Sequence, residues 1–363
     1  EFGVPLPDFV LCEPLSDVLL GPCREAVLET AWHEGDYDSY GAYGDVSWDA
    51  SERVSVSAGL RYSYDDKQFR YRSPPQESVT AALNALRTAP LNPGGNLLGY
   101  SNSEWQDLSQ SWDDWQPRLA FNYRLATDHS LYLNLARGYK AGGFEPAATP
   151  QLSVFDPETV SSIDAGLRGS AAAGRLTYDI ALFHYDYQDY QVQVIANGLA
   201  RTVNADGVDG SGVEWHVTGR LGEHWRLRLL GTYTEARFND LATDSGSLEQ
   251  NRTILTPRQS AGLLLDYDGP QYAWGRLGLS WQSEYQSDIY YTVQNSDAAR
   301  RGDIQLHHLR LSYIAPGDNW QLDLMGRNLF DKQYTIFRQD VGAGPVARRG
   351  MPRQWLARFS IRF

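Results

Sequence analysis

Apolar side chains recur at every second position through one segment of this chain after another, and the last stretch displays the pattern most cleanly. In Trp355–Phe363, the residues Trp355, Ala357, Phe359, Ile361 and Phe363 fall on one face. Leu356, Arg358, Ser360 and Arg362 fall on the other. A period of two is the period of a strand. One face is aromatic and aliphatic to its last residue, while the other is mostly polar and carries two arginines. A strand that crosses an outer membrane needs this division, with lipid on one side and water on the other over about ten residues. The competing reading of this stretch alone is the final strand of a soluble β-sandwich.

The same pattern arrives in pairs. Tyr40, Ala42, Val46 and Trp48 lead through a polar turn at 49–53 into Val54, Val56, Ala58, Leu60, Tyr62 and Tyr64. Residues 73 to 112 read as a long Pro-, Asn-, Ser- and Gly-rich connection with Trp105 and Trp112 beside it. Leu119, Phe121 and Tyr123 turn at 127–130 into Leu131, Leu133 and Leu135. Ile163, Ala165 and Leu167 turn at 171–174 into Leu176, Tyr178, Ile180 and Leu182. There Phe183, Tyr185 and Tyr187 become aromatic in the other register, which predicts a bulge or a two-sided aromatic rim. Further pairs turn at 222–224, 268–271 and 316–319. The sum is about thirteen strands. Their connections alternate short and long, as in an outer-membrane barrel with short periplasmic turns and long extracellular loops. Trp48, Trp225 and Trp320 stand beside the short turns, where an interfacial girdle belongs.

The expected fold is therefore all-β: a transmembrane antiparallel β-barrel, incomplete, because ordinary bacterial single-chain barrels have an even number of strands. With Phe363 at the periplasmic end, counting back places residue 1 in an extracellular loop. Residues 1–30 are read as a remnant of that loop and 31–363 as wall. The chain begins Glu-Phe-Gly, with no signal peptide, and is expected to continue upstream.

Composition agrees with this fold. The 22 Tyr, 11 Trp and 33 Gly suit strands and turns. A wall that is apolar only at alternate positions keeps the hydrophobic fraction at 42%. No apolar run reaches the 18 residues of a transmembrane helix. A net charge of −13 argues against nucleic acid as a partner. Cys12 and Cys23 are read as one disulfide closing a loop in an oxidising compartment, the alternative being two free thiols.

Three stretches resemble the TonB-dependent outer-membrane receptors: Ala136-Arg137-Gly138-Tyr139-Lys140-Ala141-Gly142-Gly143-Phe144, Asn328-Leu329-Phe330-Asp331-Lys332-Gln333-Tyr334, and Asn204 with Gly212-Val213-Glu214. Gly59-Leu60-Arg61-Tyr62-Ser63 and the terminal Phe363 are similar too. The resemblance covers about residues 36–363. It implies a barrel of about 22 strands filled by an N-terminal plug, of which this chain is the C-terminal part. It implies uptake driven by TonB through the missing N-terminal region, with a ferric siderophore as the leading small-molecule ligand. Cobalamin, haem and glycans are the other cargoes of the family. It also implies that Phe359, Ile361 and Phe363 form the signal read by the barrel-assembly machinery, and that the wall is bathed in outer-membrane lipid.

Enzyme chemistry has no foothold in the sequence. There is no GxxxxGK[ST] loop, no HExxH and no GxSxG. Gly210-Ser211-Gly212 reads as a bulge or turn. Asp206 and Asp209 lack the spacing and terminal Glu of an EF-hand. His307 and His308 are adjacent on a strand and face opposite ways. No metal site and no cofactor is expected. The binding candidates lie on the long loops: Trp105 and Trp112; Tyr290, Tyr291, Arg300 and Arg301; Phe337, Arg338, Arg348 and Arg349. Aromatic rings with arginines suit an anionic, aromatic metal chelate through stacking and charge-assisted hydrogen bonds. Taken singly, each of these residues reads first as an ordinary solvated or girdle residue of a polar loop. Against active uptake stand a passive porin-like channel and a purely structural or adhesive outer-membrane protein.

Overall fold

Thirteen strands form one antiparallel sheet, each hydrogen-bonded to its neighbours in chain order. The computed structural model describes residues 32–73, 102–145, 153–196, 199–243, 246–340 and 345–362. Cys12, Cys23 and Phe363 lie outside the described residues. The wall strands are β1 (Trp32–Asp49), β2 (Val54–Ser73), β3 (Asn102–Ala126), β4 (His129–Lys140), β5 (Glu158–Ala171), β6 (Leu176–Ala196) and β7 (Leu199–Leu221). They continue with β8 (Trp225–Phe238), β9 (Gln259–Asp268), β10 (Arg276–Gln286), β11 (Ile304–Ile314), β12 (Trp320–Arg327) and β13 (Gln354–Ile361). In such a meander alternate connections share an end, so the short turns lie at one end of the wall and the long loops at the other. No helix among the described residues is long and apolar enough to cross a membrane.

Register carries the apolar rows from strand to strand. Val46 pairs with Ala58, Ala58 with Leu119, Leu119 with Leu135, and Leu135 with Ile163. On the far side Leu279 pairs with Leu311, Leu311 with Leu324, and Leu324 with Ala357. Because the side-chain period is two, this in-step pairing gathers one apolar face across the whole sheet. Those side chains are not buried: Leu60 is 46% exposed, Leu182 65% and Phe359 59%. A contiguous exposed apolar face of this extent is what lipid covers.

The opposite face is polar. Arg228 pairs with Asp266 at 2.8 Å, Asn134 donates to Asp164 at 2.7 Å, and Asp323 accepts from Arg310, Ser312 and Gln321. Asp323 is 2% exposed, and these donors supply what water would otherwise give its carboxylate. Beside the short turns, rings meet in a row around the apolar face. Trp225 meets Tyr267 at 4.7 Å, Trp274 meets Tyr313 at 6.3 Å, Tyr313 meets Trp320 at 5.0 Å, and Trp320 meets Phe359 at 5.7 Å. Amphipathic rings concentrate where lipid gives way to water.

The structure corrects three local expectations. The connection after β2 is shorter than expected, because β3 already begins at Asn102 and holds both Trp105 and Trp112. The phase change in β6 comes later than Phe183. Phe183 and Tyr185 sit in regular register opposite Gly212 and Gly210, on the polar face. At Asp189, with φ 53°, the ladder with β7 breaks and resumes unshifted, from Gln188↔Gly207 to Tyr190↔Ala205. Both strands turn over there, so that Tyr187 and Tyr190 come together at 5.3 Å. Finally, Gly210-Ser211-Gly212 is neither bulge nor turn. It is straight strand, and glycine is required because the rings of Tyr185 and Phe183 lie where a Cβ would be.

Candidate ligand site at the long-loop end

The long-loop end has its own apolar core. Val192 and Val194 from β6, Val208 from β7 and Phe238 from β8 pack with Leu241 and Val293 from the loops above. Phe238 is fully buried. Ring contacts continue this core down the wall through Tyr190, Tyr187, Tyr185 and Phe183. Burying rings of this size fixes the loops that cover them.

Three loops are then tied to one another by polar contacts. The backbone N–H of Arg252 donates to Asn295 Oδ1 at 2.7 Å, and Asn295 Nδ2 returns a bond to the Arg252 carbonyl at 3.0 Å. Arg252 Nη1 and Arg300 Nε both reach Asp288 Oδ2 at 3.0 Å. Burial alone would push the Asp288 carboxyl up. The bond from Arg300 and the charge of Arg252 outweigh it and hold the group below the usual carboxylate range. Tyr291 donates its hydroxyl to the Thr335 carbonyl at 3.0 Å and meets Phe337 at 6.1 Å, which joins the loop after β10 to the loop after β12.

The sequence candidates separate under this geometry. Tyr290 pairs with Arg300 and Ile289 with Arg301 in a small ribbon. The guanidinium groups of Arg252 and Arg300 lie over the Tyr290 ring at 5.4 and 6.0 Å. Phe337 pairs with Arg348 in a second ribbon, Thr335–Asp340 with Pro345–Arg349. Arg338 donates to the Arg300 carbonyl at 3.4 Å, and Arg349 to Gln333 at the same distance. Tyr290, Tyr291, Arg300, Arg301, Phe337 and Arg338 therefore belong to one neighbourhood, and Arg348 and Arg349 edge it.

Trp105 and Trp112 do not join them. They lie on β3, and their spacing along a strand turns them to opposite faces. Trp105 lies under Arg70 and Arg72, at 4.6 and 4.7 Å, on the same side as Tyr64. Trp112 is 8% exposed and packs beside Phe144 and Lys67 on the polar face. Lys67 Nζ also holds the Gly142 carbonyl at 2.7 Å. Trp112 thus borders the connection after β4 through Phe144, and Trp105 lies near the start of β3.

Sequence reading missed Arg252, Asp288 and Asn295. Nothing local marks them, because Asp288 meets Arg252 across 36 positions and Asn295 across 43. The motif asparagines prove structural. Asn204 Nδ2 donates to the carbonyls of Asp156 and Asp189, bracing the place where β6 turns over. Asn328, 4% exposed, donates to the Lys332 and Met351 carbonyls and accepts from the Lys332 N–H. His307 and His308 diverge as expected: His307 meets Trp281 and Phe330, and His308 Nδ1 accepts from the Asn328 N–H.

Residues 17–329 match the family model for the TonB-dependent receptor-like β-barrel. The chain belongs to that family. The pesticin receptor of Yersinia enterocolitica is 24% identical over 339 residues, covering 87% of this chain and 42% of that protein. The metal–pseudopaline receptor CntO of Pseudomonas aeruginosa is 24% identical over 255 residues, covering 66% and 33%. Among solved structures, the ferric yersiniabactin uptake receptor FyuA of Yersinia pestis superposes with a TM-score of 0.76 at 21% identity, over 92% of this chain and 47% of that one. The ferric-catecholate import receptor Fiu of Escherichia coli, in its closed form, gives 0.66 at 18%. The chain thus spans less than half the length of each of these four relatives. It shares their all-β barrel fold, here as a wall whose first and last strands are not paired to each other. Members of that family are receptors and transporters rather than enzymes, and the relatives above are named for pesticin, a metal–pseudopaline complex, ferric yersiniabactin and ferric catecholates.

Proposed function

We propose that this chain is the C-terminal part of a receptor that takes up a ferric siderophore across the outer membrane, driven by TonB. The observation that carries the reading is the gathering of Tyr290, Tyr291, Arg301, Phe337 and Arg338 at one end of the wall, in a chain whose net charge is −13. Aromatic faces and guanidinium groups receive a planar or anionic chelate by stacking and charge-assisted hydrogen bonds. In this reading the long loops are extracellular and the short turns and C-terminus periplasmic. TonB engages the region upstream, the apolar face meets outer-membrane lipid, and Phe359, Ile361 and Phe363 present the assembly signal.

The test is uptake of radiolabelled ferric chelate by iron-starved cells, with and without the full-length receptor and with and without TonB. Uptake that needs both supports the proposal. Uptake that needs the receptor but not TonB makes the protein a passive channel.

A further inference from the structure

Arg301 differs from every arginine around it. It is 8% exposed, the only buried arginine among the described residues. Its neighbour Arg300 and its near neighbour Arg252 share the Asp288 carboxylate. Arg301 has no carboxylate partner among the described residues. Its Nη2 donates to Gln286 Oε1 and to the Ser287 carbonyl, both at 3.2 Å and both neutral. Its Nε is shut off from solvent, and among the described residues neither Nε nor Nη1 makes a hydrogen bond.

A guanidinium carries five N–H donors and does not give up its charge. Taking such a cation out of water without a counter-charge is among the costlier things a protein can do. Neutral oxygens at 3.2 Å satisfy part of its hydrogen bonding and none of its charge. The missing component is an anion. Arg301 stands in the small ribbon between β10 and β11, among the residues already assigned to the ligand. Gln286, which holds it, closes β10 in the register of the polar face, two residues above Glu284.

We propose that Arg301 is the anchor for a deprotonated oxygen of the ligand, a carboxylate or a phenolate, and that the receptor therefore selects negatively charged metal chelates over uncharged ones. This rests on the chelate-uptake reading above and narrows its substrate class. It also divides the roles of the loop arginines. Arg252 and Arg300 hold the loops together, and Arg301 waits for the ligand.

The experiment uses the full-length receptor in outer membranes, as wild type, Arg301→Met and Arg301→Lys. Three probes are compared: ferric citrate, a ferric tris-catecholate and an uncharged ferric trihydroxamate. Wild type is expected to bind at least one anionic probe tenfold or more tightly than the uncharged one. Arg301→Met should lose that preference, and Arg301→Lys should keep part of it. The ligand-free Met variant should melt close to wild type, because only two hydrogen bonds to neutral oxygens are lost and the charge removed has no carboxylate partner among the described residues. A Met variant that keeps the preference overturns the inference. So does a Met variant that melts well below wild type, since the charge would then serve the fold. Wild-type preference for the uncharged probe overturns the inference and leaves chelate uptake standing. Binding of none of the three by wild type removes the uptake reading and the inference together.

Discussion

Asn328 is 4% exposed and holds φ at 48°, a left-handed setting that asparagine tolerates better than most residues. Its side chain makes three hydrogen bonds that pin the start of the last loop to its end at Met351. Asn328→Ala removes these bonds, each worth about 0.5–1.5 kcal/mol. We expect lower thermal stability of the folded barrel and faster protease cleavage between residues 328 and 353. Unchanged cleavage would mean that the loop is held elsewhere. Asp288 acts over a wider area. Its carboxyl lies below the usual range, so its contribution is whole above the unfolded value of about 3.9 and disappears as pH falls through the lower folded value. The tie between the loops should therefore hold from neutrality down to about pH 4 and loosen below it. Hydrogen exchange in the 287–303 loop, compared at pH 7 and pH 3, checks this. Asp288→Asn should reproduce the low-pH pattern at pH 7. At this scale the sequence was least legible. Tyr290 and Arg300 stood out by type, but Arg252 and Asp288 are ordinary residues whose role exists only once distant loops meet.

At the scale of the element, alternation predicts free energy as well as shape. Leu311 lies mid-row, flanked by Leu279 and Leu324 on the apolar face. Arg358 sits opposite Asp323 on the polar face of β13. An arginine on the lipid face near the midplane costs about 2–4 kcal/mol and less towards the interface. Leu311→Arg should therefore deplete heat-modifiable folded barrel in outer-membrane fractions. Phe359→Arg should do so less, because Phe359 lies lower, against the girdle residue Trp320. Arg358→Gln should assemble almost as wild type. Normal assembly of Leu311→Arg with failure of Arg358→Gln would mean the faces are reversed. The strands themselves were legible because a period of two survives in any long half-polar strand. The start of β3 was not. Its first residues are Asn-Ser-Glu-Trp-Gln-Asp, polar on both faces, since the strand there stands clear of the apolar belt. The turnover at Asp189 was visible only as a surplus of aromatics, because an aspartate in the αL setting is a weak mark in a chain with many aspartates.

At the scale of the whole molecule, one sheet does two jobs. Its apolar face is continuous because thirteen strands keep step, and its loops concentrate at one end because every second connection is short. Connection length was readable directly, and with it the architecture. What the loops build at their end was not, since it depends on contacts such as Asn251 with Val293 and Tyr291 with Thr335 that link separate loops. The account turns on which end faces outward, because a ligand-receiving end must be the one open to the medium. The direct measurement is labelling of intact cells with a membrane-impermeant maleimide, using single cysteines at Gly317 and at Arg348 in a background free of native cysteines. Strong labelling at 348, with labelling at 317 only after the outer membrane is breached, is the predicted result. Strong labelling at 317 in intact cells with none at 348 would contradict it.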